Sequence, residues 1–496
     1  MNLLRKLRTI VAIIFFLGIT LLFLDFTGIV HSYLGWMAKI QFLPALLAVN
    51  FIIVGALIAL TLVFGRIYCS VICPLGIFQD VISHISVKRK KNKYSYSKAI
   101  SWLRYSILLL FIIALVAGLN SLVALLAPYS SYGRIVSNLF APIYQGLNNV
   151  LAFISERADN YLFYSKEIWI KSLSTFIISI ATFVVILVLA WKNGRSYCNT
   201  ICPVGTVLGF ISKYSFLKIH IDTDKCNYCG LCARNCKASC INPKEHKIDY
   251  SRCVDCFDCI DKCKQGAISF GYKKQKNDIH LEKDDKVDNS RRNVMTASAL
   301  VLATSVLKAQ EKKVDGGLAF IEDKKVPKRN NRLVPPGAKS IRHFSQHCTA
   351  CQLCVSVCPN DVLRPSTNLQ NFMQPELSYE KGYCRPECNK CSEVCPAGAI
   401  EPLTIEDKSS TQIGHAVWVE KNCVVLKDGV SCGNCADHCP TGSITMVEKE
   451  EGNPDSPKIP IINVETCIGC GACENLCPAR PFSAIYVEGH LMHKTI

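Results

Sequence analysis

The sequence predicts a membrane α-helical domain joined to small α+β domains built around metal clusters. Three observations predict it. Long apolar runs crowd the amino-terminal part, cysteines recur in tight groups of four, and charged stretches split those groups into two sets. At 496 residues, half of them hydrophobic, the chain is large enough for several domains and more apolar than a wholly soluble protein of that size.

The apolar runs cover about Thr9 to Val30, Phe42 to Phe64, Trp102 to Leu126 and Leu173 to Trp191, with Asp25 interrupting the first. Each is long enough to cross about 30 Å of hydrocarbon, so four transmembrane helices are expected within residues 1–215. Arg5, Lys6 and Arg8 precede the first run, and Lys88, Arg89, Lys90, Lys91 and Lys93 follow the second. By the positive-inside rule the amino terminus is cytoplasmic.

The helix pairs are duplicated. Gly65-Arg66-Ile67-Tyr68-Cys69-Ser70-Val71-Ile72-Cys73-Pro74-Leu75-Gly76 recurs as Gly194-Arg195-Ser196-Tyr197-Cys198-Asn199-Thr200-Ile201-Cys202-Pro203-Val204-Gly205. Proline after Cys73 and Cys202 suits the first turn of a helix, which leaves each of these cysteines at a helix amino terminus, where thiol pKa falls.

A cysteine-rich stretch at 216–272 leads into a lysine-rich linker at 273–290. Arg291-Arg292 then precedes a short apolar segment, so 291–309 reads as a twin-arginine-like export signal or a fifth membrane helix. A proline-punctuated linker at 310–340 separates it from a second cysteine-rich domain at 341–496.

Cys226, Cys229, Cys232 and Cys236 form one C-x2-C-x2-C-x3-C group, and Cys253, Cys256, Cys259 and Cys263 another. In such pairs the fourth cysteine serves the other group's 4Fe-4S cluster. One cluster is therefore expected on Cys226, Cys229, Cys232 and Cys263, and one on Cys253, Cys256, Cys259 and Cys236. Lys237 and Lys264 stand where proline is usual, and Cys240 is left over. The second domain adds Cys348, Cys351, Cys354, Cys358; Cys384, Cys388, Cys391, Cys395; Cys423, Cys432, Cys435, Cys439; and Cys467, Cys470, Cys473, Cys477, each group ending in Cys-Pro. Six clusters are expected on these iron ligands, with the pairing in the second domain left open. Tetrahedral zinc favours separated pairs of cysteines and fits these runs poorly. Six oxidised clusters at about −2 each reduce the formal charge of +17 to roughly +5, so the basicity is compensation and not a nucleic-acid footprint.

Cys69, Cys73, Cys198 and Cys202 lack a third nearby cysteine. Three readings stand: redox-active thiols, ligands of an additional metal or cluster, or packed thiols. Quinone is the natural membrane redox partner, with Asp25, His31, Trp36 and Lys39 as candidate contacts or interfacial anchors. No C-x-x-C-H haem site, phosphate loop or dinucleotide turn is present.

On the doubled motif and the cluster pair that follows it, residues 1 to about 272 resemble the NapH/MauN family of membrane ferredoxin-type proteins. The remainder, with Arg291-Arg292 and four cluster groups, resembles NapG, its exported ferredoxin-type partner. The resemblance implies a bacterial inner-membrane protein with bacterial-ferredoxin-like domains, the first cytoplasmic and the second periplasmic. It implies electron transfer between the quinone pool, or a cytoplasmic donor, and a periplasmic redox partner protein, either as a carrier or as the quinol dehydrogenase component of a respiratory chain. The alternative is a maturation factor reducing a metal centre or disulfide through the C-x3-C-P cysteines.

Overall fold

The first apolar run folds as one long helix. The computed structural model describes residues 3–272 and 322–496, apart from 26, 90–93, 160–162, 451–452 and 454–455. The expected linker at 273–290, the twin-arginine segment at 291–309 and the start of the following linker lie outside the described residues. Helix α1 (Leu3–Leu24) ends six residues short of the expected Val30, because Asp25 turns the chain. Its carboxylate accepts hydrogen bonds from the Thr27 hydroxyl at 2.6 Å and the Gly28 and Val30 amides at 3.0 and 2.8 Å. The short helices α2 (Ile29–Leu34) and α3 (Trp36–Lys39) follow.

The second run, expected to be one helix, is two. Helices α4 (Phe42–Leu47) and α5 (Phe51–Phe64) are separated where Val49 adopts φ +54° and the Asn50 side chain caps the Ile53 amide at 3.1 Å. Helices α6 (Ile67–Val71) and α7 (Pro74–Arg89) carry the first C-x3-C-P motif. The third run also breaks, into α8 (Ser101–Val116) and α9 (Asn120–Leu126). Gly118 at φ +74° ends α8, and the Leu119 amide returns to the Ala114 carbonyl at 2.8 Å.

The segment between the third and fourth apolar runs is helical as well. Helix α10 (Pro128–Ile135), a π-helical turn at Val136–Phe140 and α11 (Ala141–Arg157) form one continuous rod, and every residue of α10 is buried. The fourth run is a single helix, α12 (Leu173–Asn193), followed by α13 (Ser196–Thr200) and α14 (Pro203–Ser212) with the second motif. Among the described residues, α1 and α12 are the two helices long and apolar enough to cross a membrane. At 14 and 16 residues, α5 and α8 reach only roughly 21 and 24 Å.

Both cysteine-rich domains are built from short antiparallel strand pairs. In the first, β1 (Lys218–Ile221) is joined to β4 (Ile268–Gly271), and β2 (Ile241–Asn242) to β3 (Lys247–Ile248). In the second, β5 (Leu363–Pro365) pairs with β6 (Pro375–Leu377), β7 (Thr411–Trp418) with β10 (Ile485–Thr495), and β8 (Ile444–Glu448) with β9 (Lys458–Ile462).

The two domains dock at opposite ends of the same helices. At the amino end of α1, Arg5 pairs with Asp258 and Asp261 of the first domain at 2.8 and 2.5 Å. Beyond its carboxyl end, the Thr27 carbonyl accepts a bond from Lys390 of the second domain at 2.9 Å. Helix α12 runs the other way. Lys171, just before it, reaches the Val355 carbonyl and Asp361 of the second domain at 2.9 and 2.8 Å, while the Arg195 amide, just after it, donates to the Lys237 carbonyl of the first at 2.8 Å. At 22 residues, α1 holds them roughly 33 Å apart.

Candidate metal centres

The cysteine groups gather in fours, and each four mixes two sequence groups. A cavity of about 20 Å³ in the first domain is lined by Cys226, Cys229, Cys232 and Cys263. Cys259 has Cys256, Cys253 and Cys236 as its electrostatic neighbours. In the second domain, Cys354 faces Cys348, Cys351 and Cys395, while Cys358, Cys384, Cys388 and Cys391 line a common cavity of about 20 Å³. Cys423, Cys432, Cys435 and Cys477 line another of about 30 Å³, and Cys473 faces Cys470, Cys467 and Cys439. Neighbouring groups thus exchange their fourth cysteine, the point that spacing left open.

These tetrads fit iron-sulfur cubes. Burial, and after it the neighbouring thiols, push Cys259, Cys354 and Cys473 well up, so the bare sulfurs oppose one another's ionisation until cations lie among them. Among the described residues no three Cys, His, Asp or Glu side chains gather as a single metal ion requires.

Cys240, left over in the sequence, lies 3.5 Å from Cys236 by sulfur-sulfur distance, and its thiol draws Cys236 below the ordinary range. Lys237 is buried and ion-paired to Asp80 and Asp258 at 2.9 and 3.1 Å, pinning the first domain to α7, whereas Lys264 is exposed.

Cys69, Cys73, Cys198 and Cys202 also converge, in the interior between the two domains. All four are 4–5% exposed. The arrangement is two-fold. Arg66 donates to the Cys198 carbonyl at 3.2 Å and Arg195 to the Cys69 carbonyl at 2.6 Å, each reaching across to the other repeat. The glycine after each Cys-Pro is required by contact: a Cβ at Gly76 or Gly205 would fall 2.2 or 2.3 Å from the carbonyl oxygen of Cys69 or Cys198.

A separate cavity of about 360 Å³ opens where the carboxyl end of α1 meets the second domain. Phe23, Leu24, Leu139 and Trp169 supply apolar walls, and Ser137 and Gln352 supply polar groups. Gln352 sits between Cys351 and Cys354 with its carbonyl held by Asn138 at 2.8 Å, leaving its Nε2 and the Ser137 hydroxyl unpartnered and buried. Asp25, His31, Trp36 and Lys39 do not line this cavity. Asp25 is committed to its own turn, and Trp36 packs edge-on against Phe15 at 5.9 Å.

Family models agree with this picture. A 4Fe-4S dicluster domain matches residues 430–480 and a 4Fe-4S binding domain matches 343–364. The chain carries ferredoxin-type 4Fe-4S domains. A second 4Fe-4S binding domain model matches 46–93 and 175–222, where the cysteines are Cys69 and Cys73 in one segment and Cys198 and Cys202 in the other. Beyond these domains, the chain is similar at 31% identity to the ferredoxin-type protein NapG of Escherichia coli, over 29% of this chain and 66% of that protein. It is similar at 27% to the ferredoxin-type protein NapF of Escherichia coli, over 36% and 99%. An uncharacterized protein of Methanocaldococcus jannaschii matches at 24% over 54% of this chain and 88% of its own length.

Proposed function

We propose that this chain passes electrons between membrane quinol and a redox partner protein through six 4Fe-4S clusters on the two ferredoxin-type domains. One observation carries the reading: the domains cap opposite ends of α1 and α12. With Arg5, Lys6 and Arg8 on the cytoplasmic side, the first domain faces the cytoplasm and the second faces outward. On this reading the membrane part is NapH/MauN-like with four passes, the two broken runs crossing as helix pairs, and the second domain is NapG-like.

The clusters supply one-electron storage. The protein's part is to hold most of the cysteines out of water and to pack neighbouring tetrads together: the first domain's two share one core, the two between Cys348 and Cys395 lie in a second, and the last two share a third. The 360 Å³ cavity is the quinol site of this reading. Its apolar walls suit the ring, and the Gln352 amide and Ser137 hydroxyl are free to hydrogen-bond its oxygens beside the Cys348, Cys351, Cys354 and Cys395 tetrad. A quinol bound there would be placed to give its two electrons singly to a cluster held by that tetrad and its two protons to the outer side. The alternative, a maturation factor reducing a metal centre or disulfide through the C-x3-C-P cysteines, is disfavoured, because thiol exchange needs access that Cys69, Cys73, Cys198 and Cys202 lack.

The test is a reporter fused after Ile496 that is active only outside, combined with quinol-driven bleaching of cluster absorbance in membranes. External activity with bleaching is expected. Cytoplasmic activity, or no bleaching by quinol, overturns the reading.

A further inference from the structure

We infer that Cys69, Cys73, Cys198 and Cys202 together hold a seventh 4Fe-4S cluster, which joins the two ferredoxin-type domains into one electron path.

Four independent observations carry this. Each of the four sulfurs has its own N–H donor. Arg66 Nη2 stands 3.8 Å from Cys69 Sγ, Gln79 Nε2 3.3 Å from Cys198 Sγ, and the Gly205 amide 3.3 Å from Cys202 Sγ; the Gly76 amide serves Cys73. Four donors aimed at four sulfurs suit thiolates, since a thiol would compete as donor. Charge agrees: Arg66 and Arg195 are fully buried, one from each repeat; Arg195 is paired with Asp80, whereas Arg66 bonds neutral oxygens and the Cys69 sulfur and keeps its Nε unpartnered. A buried cation calls for buried negative charge, and a cube on four thiolates brings about −2.

The third observation is symmetry. Two copies of one motif meet so that each contributes a pair of cysteines, which is how a single group is shared across a two-fold axis. The two helices α7 and α14 begin at Pro74 and Pro203, so both present amino termini to the quartet. The fourth is position. One buried core contains Val254 and Cys256 of the first domain, all four cysteines of the quartet, and Cys351, Cys354 and Cys358 of the second. On the first-domain side, Arg66 donates to the Ser251 carbonyl at 2.9 Å and Asn199 to the Ala238 carbonyl at 3.3 Å. On the other, Tyr68 neighbours Cys69, Cys73 and Cys202, and Tyr129 neighbours Tyr68, Cys351 and Cys395.

The inference rests on the domains carrying clusters and not on quinol as donor. Transfer along this path moves one electron at a time between neighbouring tetrads, with no bond made or broken.

The experiment is iron and acid-labile sulfide per full-length chain, purified anaerobically from membranes, for the parent and for Cys73→Ser/Cys202→Ser. The parent is expected to hold about twenty-eight irons and the variant about twenty-four. Because that variant can fail to fold and shed all its iron, Gln79→Leu is measured beside it. It keeps every thiol, and by removing a hydrogen bond to Cys198 Sγ it should leave iron unchanged while lowering the midpoint potential of one EPR signal. Equal iron in parent and double variant, zinc in place of iron, or no shifted signal in Gln79→Leu overturns the proposal.

Discussion

Arg195 donates from Nη1 to the carbonyl oxygen of Cys69 at 2.6 Å, across 126 residues of sequence. The same guanidinium holds Asp80 through Nε, also at 2.6 Å. Arg195→Met therefore strips a buried carboxylate of its best partner and removes one of the two arginine clasps between the repeats. The expected loss is about 3–5 kcal/mol of stability. Arg195→Lys keeps the charge and loses the fork, so it should fall between the two in thermal unfolding of the detergent-solubilised protein.

Asp80 gives a pH-dependent prediction. Burial opposes its ionisation, but Arg195, Lys237 and Arg8 outweigh burial and hold its carboxyl well below the usual range. A depressed carboxylate stabilises fully above the unfolded-state value, and that contribution drains away as the pH falls below about 4. Asp80→Asn should abolish it at every pH. Hydrogen exchange at neutral pH is expected to rise around Lys237 and Asp258, the residues Asp80 and its partners tie down.

Gly133 marks the seam between the helical part and the second domain. A Cβ there would lie 2.5 Å from the Cys351 carbonyl and 2.7 Å from the Phe23 ring. Gly133→Val should push the second domain off α10 by striking the Cys351 backbone, with every ligand thiol kept. Limited proteolysis should then separate the halves faster, with cluster absorbance retained.

At the cavity, Gln352→Leu removes the unpartnered amide and preserves the cysteines on either side. Loss of one hydrogen bond worth about 1.4 kcal/mol predicts a roughly tenfold rise in the quinol concentration needed for half-maximal bleaching. Unchanged iron content would show that the tetrad survives.

His493 offers a test on a residue that is not a cysteine ligand. Burial, and then His490, bring its pKa down to about 4, and neither ring nitrogen has a partner. A histidine held neutral stabilises fully above about 6.5, and the contribution is lost as the pH falls from there towards 4. Hydrogen-exchange protection in β7 and β10, corrected for the intrinsic exchange rate, should therefore fall between pH 7 and pH 5. His493→Phe should flatten that change.

The cysteine groups were legible because their spacing is local: three ligands on one tight loop are written into a dozen residues. The doubled motif was legible for the same reason, down to the glycines whose Cβ atoms would strike Cys69 and Cys198. Which group lends its fourth cysteine to which was not legible in the second domain, because Cys358 and Cys395 find their partners only through the fold. The run from Trp102 to Leu126 was read as one helix although Gly118 offered a signal for its break, whereas Val49 in a left-handed conformation carries no such signal. The α10 rod, with Arg134 buried in it, reads as polar loop until the surrounding helices and the second domain are in place. The cavity escaped notice because it is made at a junction: α1, the π-helical turn and a cysteine loop some 330 residues from α1 each supply one wall.

The exchange of fourth cysteines bears on how the protein matures. A three-cysteine loop such as Cys348, Cys351 and Cys354 cannot close its site until Cys395 arrives from the next loop, and that loop waits in turn on Cys358. Metal loading is therefore expected to proceed by couples. A chain starved of iron should accumulate species lacking neighbouring sites in pairs, and damage to one loop should empty its neighbour as well.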